Sequence, residues 1–133
     1  MLGQAGLPAA VQTLAEGAAQ RAGLELELDV GGPPHPPQAA LVYGLARELI
    51  ANVVRHAQAR TLNVVLRDDD HGALVLVVQD DGVGLDQGVA EMRLAQGHIG
   101  LASQRVRVES AGGTFDVATP QDGGTRVEAR VPP

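Results

Sequence analysis

The sequence predicts a two-layer α/β sandwich in which a mixed, mostly antiparallel sheet packs against about three helices. Two observations carry that prediction. Apolar residues recur at helical spacing in some stretches and alternate with polar residues in others, and clusters of Gly, Pro and Asp separate the two kinds. Two pairs of alternating stretches are also joined by short polar turns, the signature of hairpins.

Residues 7 to 21, LPAAVQTLAEGAAQR, place Leu7, Val11, Leu14 and Ala18 on one helical face, and Gly23 follows as a stop. LELELDV (24 to 30) sets Leu24, Leu26, Leu28 and Val30 against Glu25, Glu27 and Asp29, which predicts a strand with one buried face. GGPPHPPQ (31 to 38) is a loop, because its prolines and glycines suit neither helix nor strand. From about Gln38 to Ala57 the chain is apolar on most sides and free of Gly and Pro except Gly44. That predicts a helix facing protein for most of its circumference.

TLNVVLR (61 to 67) and ALVLVVQD (73 to 80) flank the polar DDDHG and predict an antiparallel hairpin. After a glycine-punctuated stretch from 82 to 97, IGLASQRVRVESA (99 to 111) reads as a helix closed by Gly112 and Gly113. TFDVAT (114 to 119) and TRVEARV (125 to 131) form a last hairpin around PQDGG. With no repeat and no linker, residues 1 to 133 read as one domain.

The core must be aliphatic, since the chain has one Phe, one Tyr and no Trp beside 20 Ala, 17 Val and 16 Leu. All ten basic residues are arginine, and cysteine is absent. This excludes the lysine-bearing phosphate loop, the strand lysine of protein kinases, Schiff-base chemistry, thiolate nucleophiles, cysteine zinc sites and disulfides. A net charge of −6 with scattered arginines argues against direct binding to nucleic acid or a membrane surface. No apolar run approaches the roughly 20 residues of a membrane span, so the chain is expected to be soluble, and the lack of cysteine fits a reducing cytoplasm.

Four constellations carry chemistry. In the 38 to 57 helix, Glu48, Asn52, Arg55 and His56 are spaced at i, i+4, i+7 and i+8 and so fall within an arc of about 100°. A carboxylate can orient a water, an amide oxygen can ligate a hard cation, and Arg55 can reach a phosphate; a solvated face is the plainer reading of such a stripe. In the strand ending at Asp80, alternation places Asp80 with Leu74, Leu76 and Val78, pointing between sheet and helices, where a carboxylate needs a donor such as a purine amino group. Asp81, Gly82, Val83 and Gly84 follow, glycines that let backbone approach a ligand or that simply make a turn. Gly97, His98, Ile99, Gly100 and Leu101 open the last helix, a place where N–H groups attract anions. Gly123 and Gly124 precede Thr125, whose hydroxyl shares the inward face with Val127, Ala129 and Val131.

The order and spacing of ELIANVVRHA, VVQDDGVG, GHIGL and GGT resemble the N, G1 and G2 boxes of the GHKL ATPase superfamily, over about residues 5 to 133. The sequence is most similar to the ATP-binding catalytic domain of bacterial sensor histidine kinases, in the nitrate/nitrite-sensor-like branch. GLASQRVRVESAGGTF looks like that branch's GL…R.R.E..GG segment. The resemblance implies the Bergerat fold, ATP and Mg²⁺ as cofactors, and transfer of the γ-phosphate to a histidine. Asn52 would ligate Mg²⁺ with Glu48 beside the metal, and Arg55 or His56 would support the phosphates. Asp80 would bond the adenine amino group, Gly82 and Gly84 would shape the base pocket, Gly97 to Leu101 would close a lid, and Thr125 would bond near the adenine. The implied partners are the protein's own dimerisation and phosphoacceptor domain and a response regulator with a helix-turn-helix output. The parent protein's anchoring in a membrane is left open.

Three departures accompany the resemblance. His35, His56, His71 and His98 precede Pro, Ala, Gly and Ile rather than an acidic residue, so no histidine here fits the phosphoacceptor. No dimerisation hairpin is recognisable, so the chain is expected to be an excised or truncated catalytic domain that does not autophosphorylate by itself. Gln104 stands where the branch usually has an apolar residue such as Met. The alternatives are a serine kinase of the anti-sigma type, which shares these boxes, and a nucleotide-binding or interaction module with little catalysis.

Overall fold

The computed structural model describes residues 5–82, 101–120 and 123–133. Helix α1 (Gly6–Ala22) buries Leu7, Val11, Ala15 and Ala18, the stripe expected from the spacing, and ends at Gly23, whose φ of 70° closes the cap with an N–H donated to the Ala19 carbonyl. Strand β1 (Glu25–Val30) alternates exposed glutamates with half-buried leucines, as an edge strand does. Helix α2 (Ala39–Asn52) follows the proline loop. The buried Gln38 ties that loop down by donating Nε2–H to the carbonyls of Gly72 and Val131 at 2.9 and 3.2 Å.

Regular helix stops at Asn52, not at Ala57. Val53–Ala57 is a π-helical turn, and it closes at Gln58 with φ 51°, the left-handed region. The expectation of one regular helix from 38 to 57 is thereby corrected. A π-turn widens the helix by one residue per turn, so Arg55 and His56 do not lie where a 3.6-residue period puts them relative to Glu48.

Strands β2 (Thr61–Asp68) and β3 (Leu74–Asp80) form the predicted antiparallel hairpin. Asp69 organises its turn, accepting bonds from the N–H groups of His71 and Ala73 and, on its other oxygen, from Arg130 at 2.7 Å. Helix α3 covers residues 101–110 in the described part of the chain. Its end is stapled by Gly113 N–H to the Val108 carbonyl and Gly112 N–H to the Glu109 carbonyl, both at 2.9 Å. Strands β4 (Thr114–Ala118) and β5 (Thr125–Val131) pair antiparallel, as expected.

The sheet order is β1-β2-β3-β5-β4, with β1 and β2 parallel and the other pairs antiparallel. A parallel pair cannot be joined by a tight turn, and α2 supplies the crossover. Among the described residues the helices pack on one face of the sheet. Leu7, Val11, Leu45, Leu49 and Ile50 meet Leu62, Val64, Leu66, Leu76, Val127 and Phe115 in a single apolar cluster joined from α3 by Val108. Burial of each large side chain contributes about 1.5–3 kcal/mol, and packing of helices on one sheet face leaves one end of the interlayer for polar residues.

Gln104 belongs to this inner layer at 5% exposure, and its Oε1 has no partner among the described residues. The residue that departs from the branch's pattern is packed as though it were apolar.

Candidate nucleotide site

The candidate residues of the described chain lie mainly on three elements, β3, β5 and α2, and strand register brings those of β3 and β5 together. At the C-terminal end of β3, Asp80 is 5% exposed and continues the inward row of Leu74, Leu76 and Val78. Its Oδ1 accepts the Gly82 N–H at 2.8 Å, so the first glycine after the strand closes an Asx turn onto the carboxylate. Across the sheet, register places Asp80 opposite Thr125 on β5 and opposite Leu62 on β2. Thr125 is half-buried on the same inner face.

Gly124 makes that pairing possible. Its φ is 88°, and a Cβ built there would overlap the Asp80 carbonyl, so both its backbone and its lack of a side chain are required.

On α2, Glu48 and Asn52 lie one turn apart and both are half-buried. Arg55 is exposed and donates Nη2–H to Asn52 Oδ1 at 2.8 Å. His56 belongs to the π-helical turn by its backbone, and its side chain lies outside the described residues, as do Gly84, Gly97, His98, Ile99 and Gly100. Leu101 begins the described part of α3, half-buried against the core.

One residue of this end was missed in the sequence. Asp81 Oδ1 accepts the N–H groups of Arg60 and Thr61 at 2.8 and 2.9 Å, latching the end of β3 to the start of β2. The Thr61 N–H, foremost among these donors, holds the Asp81 carboxyl below its ordinary value of 3.8. The alternation that turns Asp80 inward also turns Asp81 out of the interlayer, and that was its signal in the sequence.

The donor set bears on a metal. Asn52 Oδ1 and the Glu48 carboxylate are hard oxygen donors, and no group of three or more His, Cys, Asp or Glu that could hold an ion occurs among the described residues. Mg²⁺ is ordinarily held by one or two protein oxygens completed by phosphate and water, so the residues fit Mg²⁺ arriving with a nucleotide rather than a protein-only cage.

Comparison with solved structures places this architecture among histidine kinase ATP-binding domains. The ATP binding domain of PrrB from Mycobacterium tuberculosis superposes with a TM-score of 0.69 at 22% identity, over 96% of this chain and 93% of that one. Acinetobacter baumannii histidine kinase AdeS gives 0.72 at 21% identity, over 93% of this chain and 63% of that one. The family model described as histidine kinase-, DNA gyrase B-, and HSP90-like ATPase matches residues 38–133, and the chain belongs to that family.

Within it the similar sequences are sensor histidine kinases. Sensor histidine kinase NarS of Mycobacterium tuberculosis is 44% identical over 133 residues, covering 99% of this chain and 31% of that protein. The nitrate/nitrite sensor protein NarQ of Escherichia coli is 30% identical over 129 residues, 95% of this chain and 22% of that protein. The chain thus spans a third or less of these relatives and corresponds to their histidine kinase-type ATPase domain. Among the described residues no helix is long and apolar enough to cross a membrane.

Proposed function

We propose that this chain binds Mg-ATP between α2 and the β3–β5 end of the sheet and donates the γ-phosphate to a histidine on a separate dimerisation domain. A response-regulator aspartate, in a protein with a helix-turn-helix output, then takes it. The observation that carries the reading is Asp80: a carboxylate buried at the end of an apolar row, with Thr125 opposite it. Its Oδ1 accepts the Gly82 N–H, and a carboxylate has lone pairs enough to receive an adenine amino group as well.

Asn52 holds the metal with Glu48 beside it, and Arg55 and His56 support the phosphates. Asp80 receives the adenine amino group, Gly82 and Gly84 bound the base pocket, Thr125 bonds near the base, and Gly97 to Leu101 cover the phosphates. Bound Mg²⁺ would offset charge on the phosphate oxygens. The chain's own task is positioning, the main demand of phosphoryl transfer: a ring nitrogen of the acceptor histidine forms the bond to phosphorus while the bond to the β-phosphate oxygen breaks and ADP leaves.

The test is calorimetric binding of ATP in Mg²⁺ by the wild-type chain, Asn52→Ala and Asp80→Asn. Each variant is expected to bind about tenfold or more weakly, the scale of one charge-assisted hydrogen bond or metal contact. If both bind as tightly as wild type, the site assignment is wrong.

A further inference from the structure

Asn52 has a single side-chain oxygen, and in this structure that oxygen is engaged by a cation of the chain itself. Arg55 Nη2 donates to Asn52 Oδ1 at 2.8 Å. The guanidinium carries five N–H donors in a planar fork. This bond uses one, and among the described residues no other partner engages Arg55. Arg55 is exposed while Asn52 is half-buried, so the remaining donors are open to an incoming anion.

The atom held by Arg55 is the one that the reading above assigns to the metal. A guanidinium and a divalent ion cannot share one amide oxygen at contact distance without strong repulsion, unless an anion lies between them. The metal therefore competes with the arginine for Oδ1, and the nucleotide phosphates offer the displaced guanidinium another acceptor. In the absence of metal the arginine has no reason to leave, because the same fork can keep Asn52 and reach a phosphate oxygen together.

We propose, resting on the nucleotide-site reading, that Arg55 is a built-in metal surrogate: without Mg²⁺ it bridges Asn52 Oδ1 and the nucleotide phosphates, and with Mg²⁺ it contacts phosphate alone. Arg55 then contributes more to metal-free nucleotide binding than to metal-loaded binding. Asn52 in turn supports nucleotide binding even when no metal is present, as the tether of the arginine. A residue that only ligated the metal would not.

The experiment measures dissociation constants for ATP in excess EDTA and in excess Mg²⁺ for the 133-residue chain and for Arg55→Ala, Arg55→Lys and Asn52→Ala, with thermal unfolding confirming that each variant is folded. The ratio of metal-free to metal-loaded dissociation constant is expected to rise roughly tenfold in Arg55→Ala. Arg55→Lys should follow alanine rather than wild type in that ratio, since an ammonium lacks the fork. Asn52→Ala should weaken binding in EDTA by about threefold or more. Equal losses with and without metal in Arg55→Ala would make Arg55 an ordinary phosphate contact and overturn the proposal. So would an unchanged Asn52→Ala in EDTA, or wild-type binding that vanishes in EDTA while persisting in Mg²⁺. Absence of wild-type binding under both conditions is a different result, which overturns the nucleotide-site reading and this proposal with it.

Discussion

Asp80 and Thr125 stand opposite each other across the β3–β5 ladder, and the residue before Thr125 has no side chain where one would overlap the Asp80 carbonyl. The inner-face carboxylate and hydroxyl are thus brought together by a glycine at positive φ. Gly124→Ala is expected to destabilise the fold by more than about 1 kcal/mol, from left-handed strain plus displacement of the β3 end. Urea unfolding measures this. A variant as stable as wild type would show that the start of β5 shifts freely.

Gln104 buries an amide oxygen with no partner among the described residues, at a position on α3 facing the aliphatic core. Gln104→Met keeps the length of the side chain and removes the desolvated group, so it should raise stability by about 1 kcal/mol or more. Equal or lower melting temperature for the methionine variant contradicts the packing described for α3.

Phe115 is the aromatic residue of the core, 3% exposed, with the Arg105 guanidinium 5.4 Å from its ring centroid. Truncation to alanine should cost about 3–5 kcal/mol. Arg105→Ala should cost only about 0.5–1 kcal/mol, the value of an exposed cation–π contact. A double-mutant cycle between the two separates the ring's burial from its contact with the arginine.

Gln58 ends the π-helical turn at φ 51°, a conformation that disfavours a side chain. Among the described residues no hydrogen bond of its side chain opposes a change. Gln58→Gly is therefore expected to stabilise the chain by up to about 1 kcal/mol, the strain removed exceeding the gain in unfolded-state freedom. Denaturant midpoints of the two proteins decide it.

Asp81 is held below its ordinary pKa by the Thr61 N–H and Arg60 N–H, and Asp69 by the Arg130 guanidinium first and the His71 N–H next. For a carboxyl depressed in the folded state, the stabilisation is present above the unfolded value and is lost as pH falls through the folded one. Both contributions should therefore be whole at neutral pH and disappear below about pH 4. The stability difference between wild type and Asp81→Ala should shrink over that window; a difference constant from pH 7 to 3 would remove Asp81 as a latch.

Much of this was legible along the chain. The alternation of Leu74, Leu76, Val78 and Asp80 shows that the carboxylate turns inward, and the two short polar turns identify both hairpins. The parallel pairing of β1 with β2 and the insertion of β5 beside β3 were not legible, because they join segments distant in sequence. Nor was the π-turn after Asn52: periodic reading assumes 3.6 residues per turn, and VVRHA contains no glycine or proline to announce a change. The bond between Arg55 and Asn52 depends on that local geometry and on a rotamer, neither of which composition reports.

The sequence by itself determined which side chains each element turns inward, because burial acts on a one-dimensional pattern that the backbone period translates directly. It determined an aliphatic core, a chemistry without lysine or thiol, and the boxes that resemble a kinase ATP-binding domain. Tertiary structure alone decided which strand lies beside which, and therefore that Thr125 meets Asp80 and Asp81 latches to Thr61. Ladder hydrogen bonds join main-chain groups that every residue but proline carries alike, so strand neighbours are chosen by the packing of the whole sheet against its helices.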